Sequence, residues 1–398
     1  MKNPFDARAP TFDANAINET IRSALARAGL DTASGPMHRV TETIRCALSS
    51  GGTATTTSTP AASETVIDVV ARLVDVGQDG SGEPTRQPPV DEPQAPGTFD
   101  SHEFANRAGS RTYKLYVPAR IGASPPPMIV MLHGCSQSVD DFATGTRMNL
   151  LADEHGFLVV YPEQAASANP SKCWNWFKAQ DQLRDSGEPS LIAGIVREVA
   201  ARYGADPRRI FVAGLSAGAA MAVILGETYP ELFSGVGAHS GLPYGSAHDL
   251  PSAMAAMKGG RSGIAGLKNM PGAGMAPRRK IARAVPIIVF HGDRDHTVQQ
   301  TNGAEIIQQA KDAHSTQAGD AALRVSMERG AAPGGRSYSR TAHANASGQS
   351  RIESWTVHGA GHAWSGGSAS GSYTDGSGPD ASAAMVRFFL ALPRAGSV

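Results

Sequence analysis

Long apolar runs are missing from this sequence. No stretch of the 398 residues approaches the roughly 20 apolar residues of a membrane-spanning helix, so no such span is expected. Cysteine is scarce: Cys46, Cys135 and Cys173 are too few for a disulfide-built fold. There is no excess of either charge, with 36 basic and 36 acidic residues. That balance gives no global positive field for nucleic acid. The opening stretch, "MKNPFDARAPTFDANAINETIRSALARAGL", holds no apolar core of the roughly 7–15 residues a signal peptide needs, which favours a cytoplasmic location. H-E-x-x-H, a Walker loop and paired C-x-x-C are also missing, so neither a metal nor a nucleotide cofactor is expected.

Glycine and proline are plentiful, and they gather in loops and linkers. "SSGGTATTTSTPAAS" (49–63) and "GQDGSGEPTRQPPVDEPQAPG" (77–97) cannot bury enough apolar surface to offset chain entropy. Residues 77–100 therefore read as a flexible linker. Before it, "INETIRSAL" (17–25) and "VTETIRCAL" (40–48) nearly repeat, and "SETVIDVVARL" (63–73) reads as a diverged third copy. Ile17, Ile21 and Leu25 fall on one helical stripe, as do Val40, Ile44 and Leu48. Residues 1–76 are thus expected to hold short amphipathic helices. Isolated helices this short are marginal, so they need something to pack on.

From residue 101 to 398 the pattern is that of one α/β domain. "RTYKLYVP" (111–118) reads as an early or edge strand. "MIVMLHG" (128–134), "FLVVYPE" (157–163), "IFVAG" (210–214), "VGAHSG" (236–241) and "PIIVFHG" (286–292) are short apolar runs ending in turn residues. Such runs suit strands buried on both faces of a largely parallel sheet. Helical patterns at 141–155, 189–203, 217–229 and 301–313 separate them, and a last strand (351–357) and helix (381–392) follow. The expected fold is α/β, a mostly parallel central sheet covered by helices. A Gly- and Met-rich segment, 244–283, reads as a cap over its site.

Chemistry is concentrated at strand ends, where this architecture places function. Gly214-Leu215-Ser216-Ala217-Gly218 is G-x-S-x-G between a strand and a helix, which makes Ser216 the candidate nucleophile. Glycine is favoured on both sides because side chains there would meet the neighbouring strand and helix. A serine hydroxyl needs a base, and the base an orienting acid, in the chain order Ser, Asp or Glu, His. "HGDRDHTV" (291–298) offers Asp293 and Asp295; "HGAGHAWSGG" (358–367) offers His358 and His362. The choice falls on Asp295, deeper in its loop and close to Val298, and on His362, in a glycine-flanked loop. Asp293 reads as a turn residue and His358 as part of a strand end. His133 and His291 read as loop-holding residues, His239 as a support from a neighbouring strand end, and His38 and His343 as surface residues. Two backbone donors, from Ala217 and from Cys135 in "HGCSQ", are expected to hold an oxyanion. "CWNWF" (173–177) either packs its own loop or walls the substrate site; the second reading makes Trp174, Trp176 and Trp364 substrate-binding candidates.

Taken together, "MLHGCSQ", "YPEQAASANPSKCWNWF", "GLSAGAAMA", "VFHGDRDHTV" and "GAGHAWSGG" resemble the polyhydroxybutyrate depolymerase family of esterases, whose relatives include feruloyl and acetylxylan esterases. The resemblance covers about 103–392. It implies an α/β-hydrolase that splits carboxylic esters without a cofactor. Carried onto this sequence, it implies Ser216, Asp295 and His362 as a catalytic triad, Cys135 as an oxyanion donor, and pairing of Cys135 with Cys173. The expected substrate is poly(3-hydroxybutyrate) or a short hydroxyalkanoate ester, with feruloyl or acetyl esters as the alternative. The resemblance also admits an extracellular location. A reading from another class is a binding module, in which the N-terminal helices recruit the chain to a granule surface or a protein partner.

Overall fold

The computed structural model describes residues 97–259, 284–318 and 323–393. The N-terminal repeat, His38, Cys46, the linker up to residue 96 and residues 260–283 of the cap segment lie outside the described residues.

The chain first pairs β1 (Thr98–Asn106) with β2 (Gly109–Val117) as an antiparallel hairpin. This corrects one expectation and decides another. Thr98–Asp100 belong to a strand rather than to the linker, and of the two readings of β2 the early strand holds and the edge does not, because β1 covers it. The polar sequence of β1, "TFDSHEFAN", gives almost no periodic signal.

Next come β3 (Met128–Leu132), α1 (Val139–Thr146), α2 (Met148–His155) and β4 (Leu158–Pro162). The single helix expected over 141–155 is two, because Arg147 takes a left-handed φ of 55° between them. Then follow α3 (Gly187–Tyr203), β5 (Ile210–Leu215), α4 (Ala217–Thr228), β6 (Gly235–His239), α5 (Leu250–Met257), β7 (Ile287–Gly292) and α6 (Thr301–Ala318). An antiparallel hairpin of β8 (Arg324–Ala331) and β9 (Ser337–Ala344) precedes β10 (Ser350–Val357), the short strands β11 (Trp364–Ser365) and β12 (Thr374–Asp375), and α7 (Ala381–Leu390).

The sheet runs β1-β2-β4-β3-β5-β6-β7-β10-β9-β8. Its central stretch, β4-β3-β5-β6-β7-β10, is parallel throughout, and antiparallel hairpins close both margins. The period of two sorts each central strand between two cores. In β3, Val130 and Leu132 meet Ile192, Val196 and Val223 from α3 and α4 on one face. Ile129 and Met131 join Phe142, Met148 and Phe389 from α1, α2 and α7 on the other. Both faces being covered, the strands read as continuous apolar runs. His343, expected at the surface, is buried on β9. Its strand pairs with β10 and faces Ile352, which draws the ring inward.

Candidate active site

Ser216 stands at the junction of β5 and α4 with φ 57° and ψ −117°, a conformation that non-glycine residues seldom adopt. Its N–H donates to the His239 carbonyl of the neighbouring strand at 2.9 Å, which holds the turn. The flanking glycines are required by close approach. A Cβ on Gly218 would lie 2.1 Å from the Leu132 carbonyl oxygen, and one on Gly214 would lie 2.5 Å from the Gly218 carbonyl carbon. Both obstacles are backbone and cannot rotate away.

The loop after β7 carries Asp295, the candidate acid. Val298 is buried and anchors that loop. The Asp295 carboxylate has no solvent exposure; Oδ1 accepts N–H bonds from Thr297 (3.0 Å) and Val298 (2.9 Å). Oδ2 lies 2.7 Å from Nδ1 of His362. Burial pushes the Asp295 pKa up, but the hydrogen bond and charge of His362, with those of Val298 and the Ser240 hydroxyl, outweigh it and hold the group below its ordinary value. An ionised carboxylate accepts only, so His362 donates through Nδ1 and keeps Nε2 as the lone-pair nitrogen. The His362 side chain is 13% exposed. Among the described residues, Nε2 makes no protein hydrogen bond.

The three groups are linked through β6, which lies between β5 and β7. Ser216 is bonded to His239, and the adjacent Ser240, with a left-handed φ of 51°, donates its N–H to the Phe290 carbonyl of β7 at 2.9 Å and sets its hydroxyl 3.3 Å from Nδ1 of the His239 ring. The His239 ring is buried between Phe290 and Trp364 and accepts the Ser365 N–H on Nε2 at 3.0 Å. Burial, then repulsion from His291 and His362, pushes its pKa down to about 3, so it is a neutral spacer. Sequence reasoning gave His239 a supporting place but missed Ser240; the "HSG" after an apolar run was the available signal. His291 bonds the Val298 carbonyl at 2.8 Å, and His133 bonds the Gly134 carbonyl at 2.7 Å.

The loop after β3 supplies the candidate oxyanion donors. Among the described residues, neither the Cys135 N–H nor the Ala217 N–H has a protein acceptor, and Ala217 opens α4, where the helix dipole favours negative charge. The loop is tied down on both sides. A disulfide joins Cys135 to Cys173. The buried Gln137 accepts the Gly134 N–H and donates to Asp141, whose carboxylate also takes the Ser372 N–H at 2.8 Å. Tyr373, an exposed aromatic with φ 52°, reaches the Ser136 hydroxyl at 3.2 Å. None of this Gln137–Asp141–Ser372 framework is visible as a motif.

The tryptophans are a correction. Trp174 is fully buried and donates its indole N–H to the His133 carbonyl, while Trp364 is buried against Phe142 and donates to Ser382. Both are packing groups that hold loops, because their rings have no face left for a ligand. Trp176, packed edge-on to Phe177, is also buried. The alternatives Asp293 and His358 pair with each other at 2.9 Å and lie outside this network. Among the described residues no group of three or more His, Cys, Asp or Glu side chains is arranged to hold a metal ion, and no helix is long and apolar enough to cross a membrane.

Comparison with known proteins follows the same lines. A family model described as "Esterase PHB depolymerase" matches residues 111–326. A "Poly(3-hydroxyalkanoate) depolymerase C" of Paucimonas lemoignei is 32% identical over 272 residues, covering 65% of this chain and 60% of that protein. "Feruloyl esterase B" of Neurospora crassa is 36% identical over 35% of this chain and 47% of its own. The chain therefore spans about 60% or less of the length of these curated relatives. Among solved structures, an acetyl xylan esterase from Aspergillus awamori matches with a TM-score of 0.52, at 20% identity, over 73% of this chain and 99% of that one. That likeness is one of fold, and the fold is the α/β-hydrolase fold.

Proposed function

The chain belongs to the Esterase PHB depolymerase family, and from that premise we propose that it hydrolyses carboxylic esters through Ser216, His362 and Asp295. The observation that carries the reading is the 2.7 Å bond between His362 and the unexposed Asp295 just past β7, with Ser216 on its strained turn at the end of β5, two strands along the same sheet. In this reading Ser216 attacks the ester carbonyl and its proton passes to Nε2 of His362. Asp295 fixes the imidazole tautomer and stabilises the imidazolium that forms. The Cys135 and Ala217 N–H groups hold the oxyanion, each donor contributing roughly 3–4 kcal/mol in comparable sites. The histidine returns its proton to the departing alkoxide. Water, deprotonated by the same ring, then releases the acid.

The substrate we propose is a poly(3-hydroxybutyrate) chain or a short hydroxyalkanoate ester, with feruloyl and acetyl esters as the competing class. A side-by-side assay on hydroxybutyrate oligomers, amorphous polymer and methyl ferulate tests it, with Ser216→Ala as the control. Turnover of the oligomers that disappears in Ser216→Ala supports the reading. Equal turnover by Ser216→Ala overturns the mechanism; exclusive turnover of methyl ferulate overturns the substrate.

A further inference from the structure

We propose that Ser339, His358 and Asp293 form a second, separate acyl-accepting site at the β9–β10 margin of the sheet. Both hydrogen bonds of the relay are closed. The Ser339 hydroxyl lies 2.9 Å from Nε2 of His358, and Nδ1 of the same ring lies 2.9 Å from Oδ2 of Asp293. The other Asp293 oxygen accepts the Gly359 N–H at 2.7 Å, which fixes the carboxylate. Burial pushes the Asp293 pKa up, yet the bonds from His358 and Gly359 prevail and keep it ionised. An ionised carboxylate only accepts, so His358 donates through Nδ1. Its Nε2 is then the acceptor, and the Ser339 hydroxyl is the donor. That is the proton arrangement of an activated serine.

The site is placed for access. The Asp293 side chain is 31% exposed and that of His358 is 41% exposed. Ser339 is half-buried on β9. Arg329 of β8 is exposed and stands directly opposite Ser339 in the antiparallel register. Side chains in such pairs share a face, so the Arg329 guanidinium is the charge that would meet an oxyanion formed on Ser339. Ser339 lies within a strand rather than at a sharp turn, so no helix N-terminus backs it. The ligand class is accordingly a small, activated carboxylic ester, and the outcome is slow acyl transfer rather than rapid turnover.

The step balances. The Ser339 oxygen attacks the carbonyl carbon of p-nitrophenyl acetate, and its proton moves to Nε2 of His358. The tetrahedral adduct collapses with loss of p-nitrophenolate, leaving acetyl-Ser339, and the imidazolium releases its proton to solvent.

The full-length Ser216→Ala protein isolates this reaction from the proposed main site. It is treated with p-nitrophenyl acetate, and acetylated peptides are quantified by mass spectrometry. Ser339 is expected to acquire acetyl roughly a hundredfold faster than other exposed serines, the lower end of what a general base contributes. Adding His358→Gln should abolish that excess, while Arg329→Ala should slow it. Acetylation of Ser339 no faster than the other serines, or unchanged by His358→Gln, overturns the proposal. Neither result bears on Ser216, whose own reading stands or falls on the loss of steady-state turnover in Ser216→Ala.

Discussion

The substitution Asp295→Asn separates the two Asp–His pairs. Asp295 uses both oxygens: Oδ1 accepts from Thr297 and Val298, and Oδ2 accepts from His362. Asparagine has one acceptor oxygen. If that oxygen keeps the two backbone donors, the amide NH2 faces Nδ1 of His362, and two donors meet. Rotating the amide instead sets the NH2 against two backbone N–H groups in an unexposed site, at about 1–3 kcal/mol for each group left unpaired. The ring therefore gives way and moves its proton to Nε2. Nε2 then has no lone pair for the Ser216 proton. Such a tautomer change costs roughly 10⁴ in kcat, or about 5 kcal/mol of barrier. Asp293→Asn repeats the change on His358, in an exposed pair worth at most about 1 kcal/mol, and kcat should fall no more than about fivefold. The assay is kcat on p-nitrophenyl butyrate, with thermal unfolding to show that each variant folds. A larger loss in a folded Asp293→Asn protein, or near-full activity in Asp295→Asn, refutes the assignment.

Gly218→Ala must push a Cβ to within 2.1 Å of the Leu132 carbonyl, so its unfolding free energy by urea titration should fall by roughly 1–3 kcal/mol or more, whereas Gly361→Ala, with nothing within 4 Å of its Cβ, should unfold like the parent. Replacing Cys135 and Cys173 together by alanine opens a cross-link spanning 38 positions, for which chain entropy gives about 4 kcal/mol. Urea titration would measure that loss, and finding both thiols alkylatable in unreduced protein would contradict it. Glu353 is unexposed between Arg340 (2.9 Å) and Arg387 (2.6 Å); burial raises its pKa, but the two guanidinium groups prevail and depress it. A depressed carboxyl stabilises the fold above its unfolded pKa of about 4.3, and that contribution is lost as pH falls through the folded value. Glu353→Gln should therefore lower the melting temperature at neutral pH and flatten its decline below about pH 4, as scanning calorimetry across pH would show.

The parallel centre of the sheet was legible because each strand there is buried on both faces and reads as an unbroken apolar run. The margins were not. β1, β8 and β9 are polar strands with exposed faces, and β8 is exposed along nearly its whole length. Their pairing comes from backbone hydrogen bonds to a neighbour, which leave no trace in composition. The tryptophans failed for a related reason. An aromatic cluster in a loop reads alike whether its rings face a ligand or a core, and only the depth of Trp174 and Trp364 decides. Ser216 was legible because its signature is local: a strand, two glycines set by backbone contact, and a helix.

The acid and base posed a harder problem, and sheet register explains why. β7 and β10 are parallel neighbours whose last paired residues are Gly292 and Val357. One residue further along each strand stand Asp293 and His358. Continuing the ladder alone brings them together, and they meet at 2.9 Å near the surface. Asp295 and His362 stand further on, three and five residues past the ladder, where register no longer dictates contact. Other devices bring them to 2.7 Å: the buried Val298, the Thr297 and Val298 N–H groups, and the loop that carries His362 past Gly359 and Gly361. The two pairs thus have the same chemistry in sequence and opposite surroundings in space. One is exposed and set by the strands. The other is shielded and set by loops just past β7, the neighbour of the β6 strand whose His239 carbonyl accepts the Ser216 N–H. A low-dielectric setting strengthens a fixed Asp–His bond, and that argues for the loop-built pair as the one that serves Ser216.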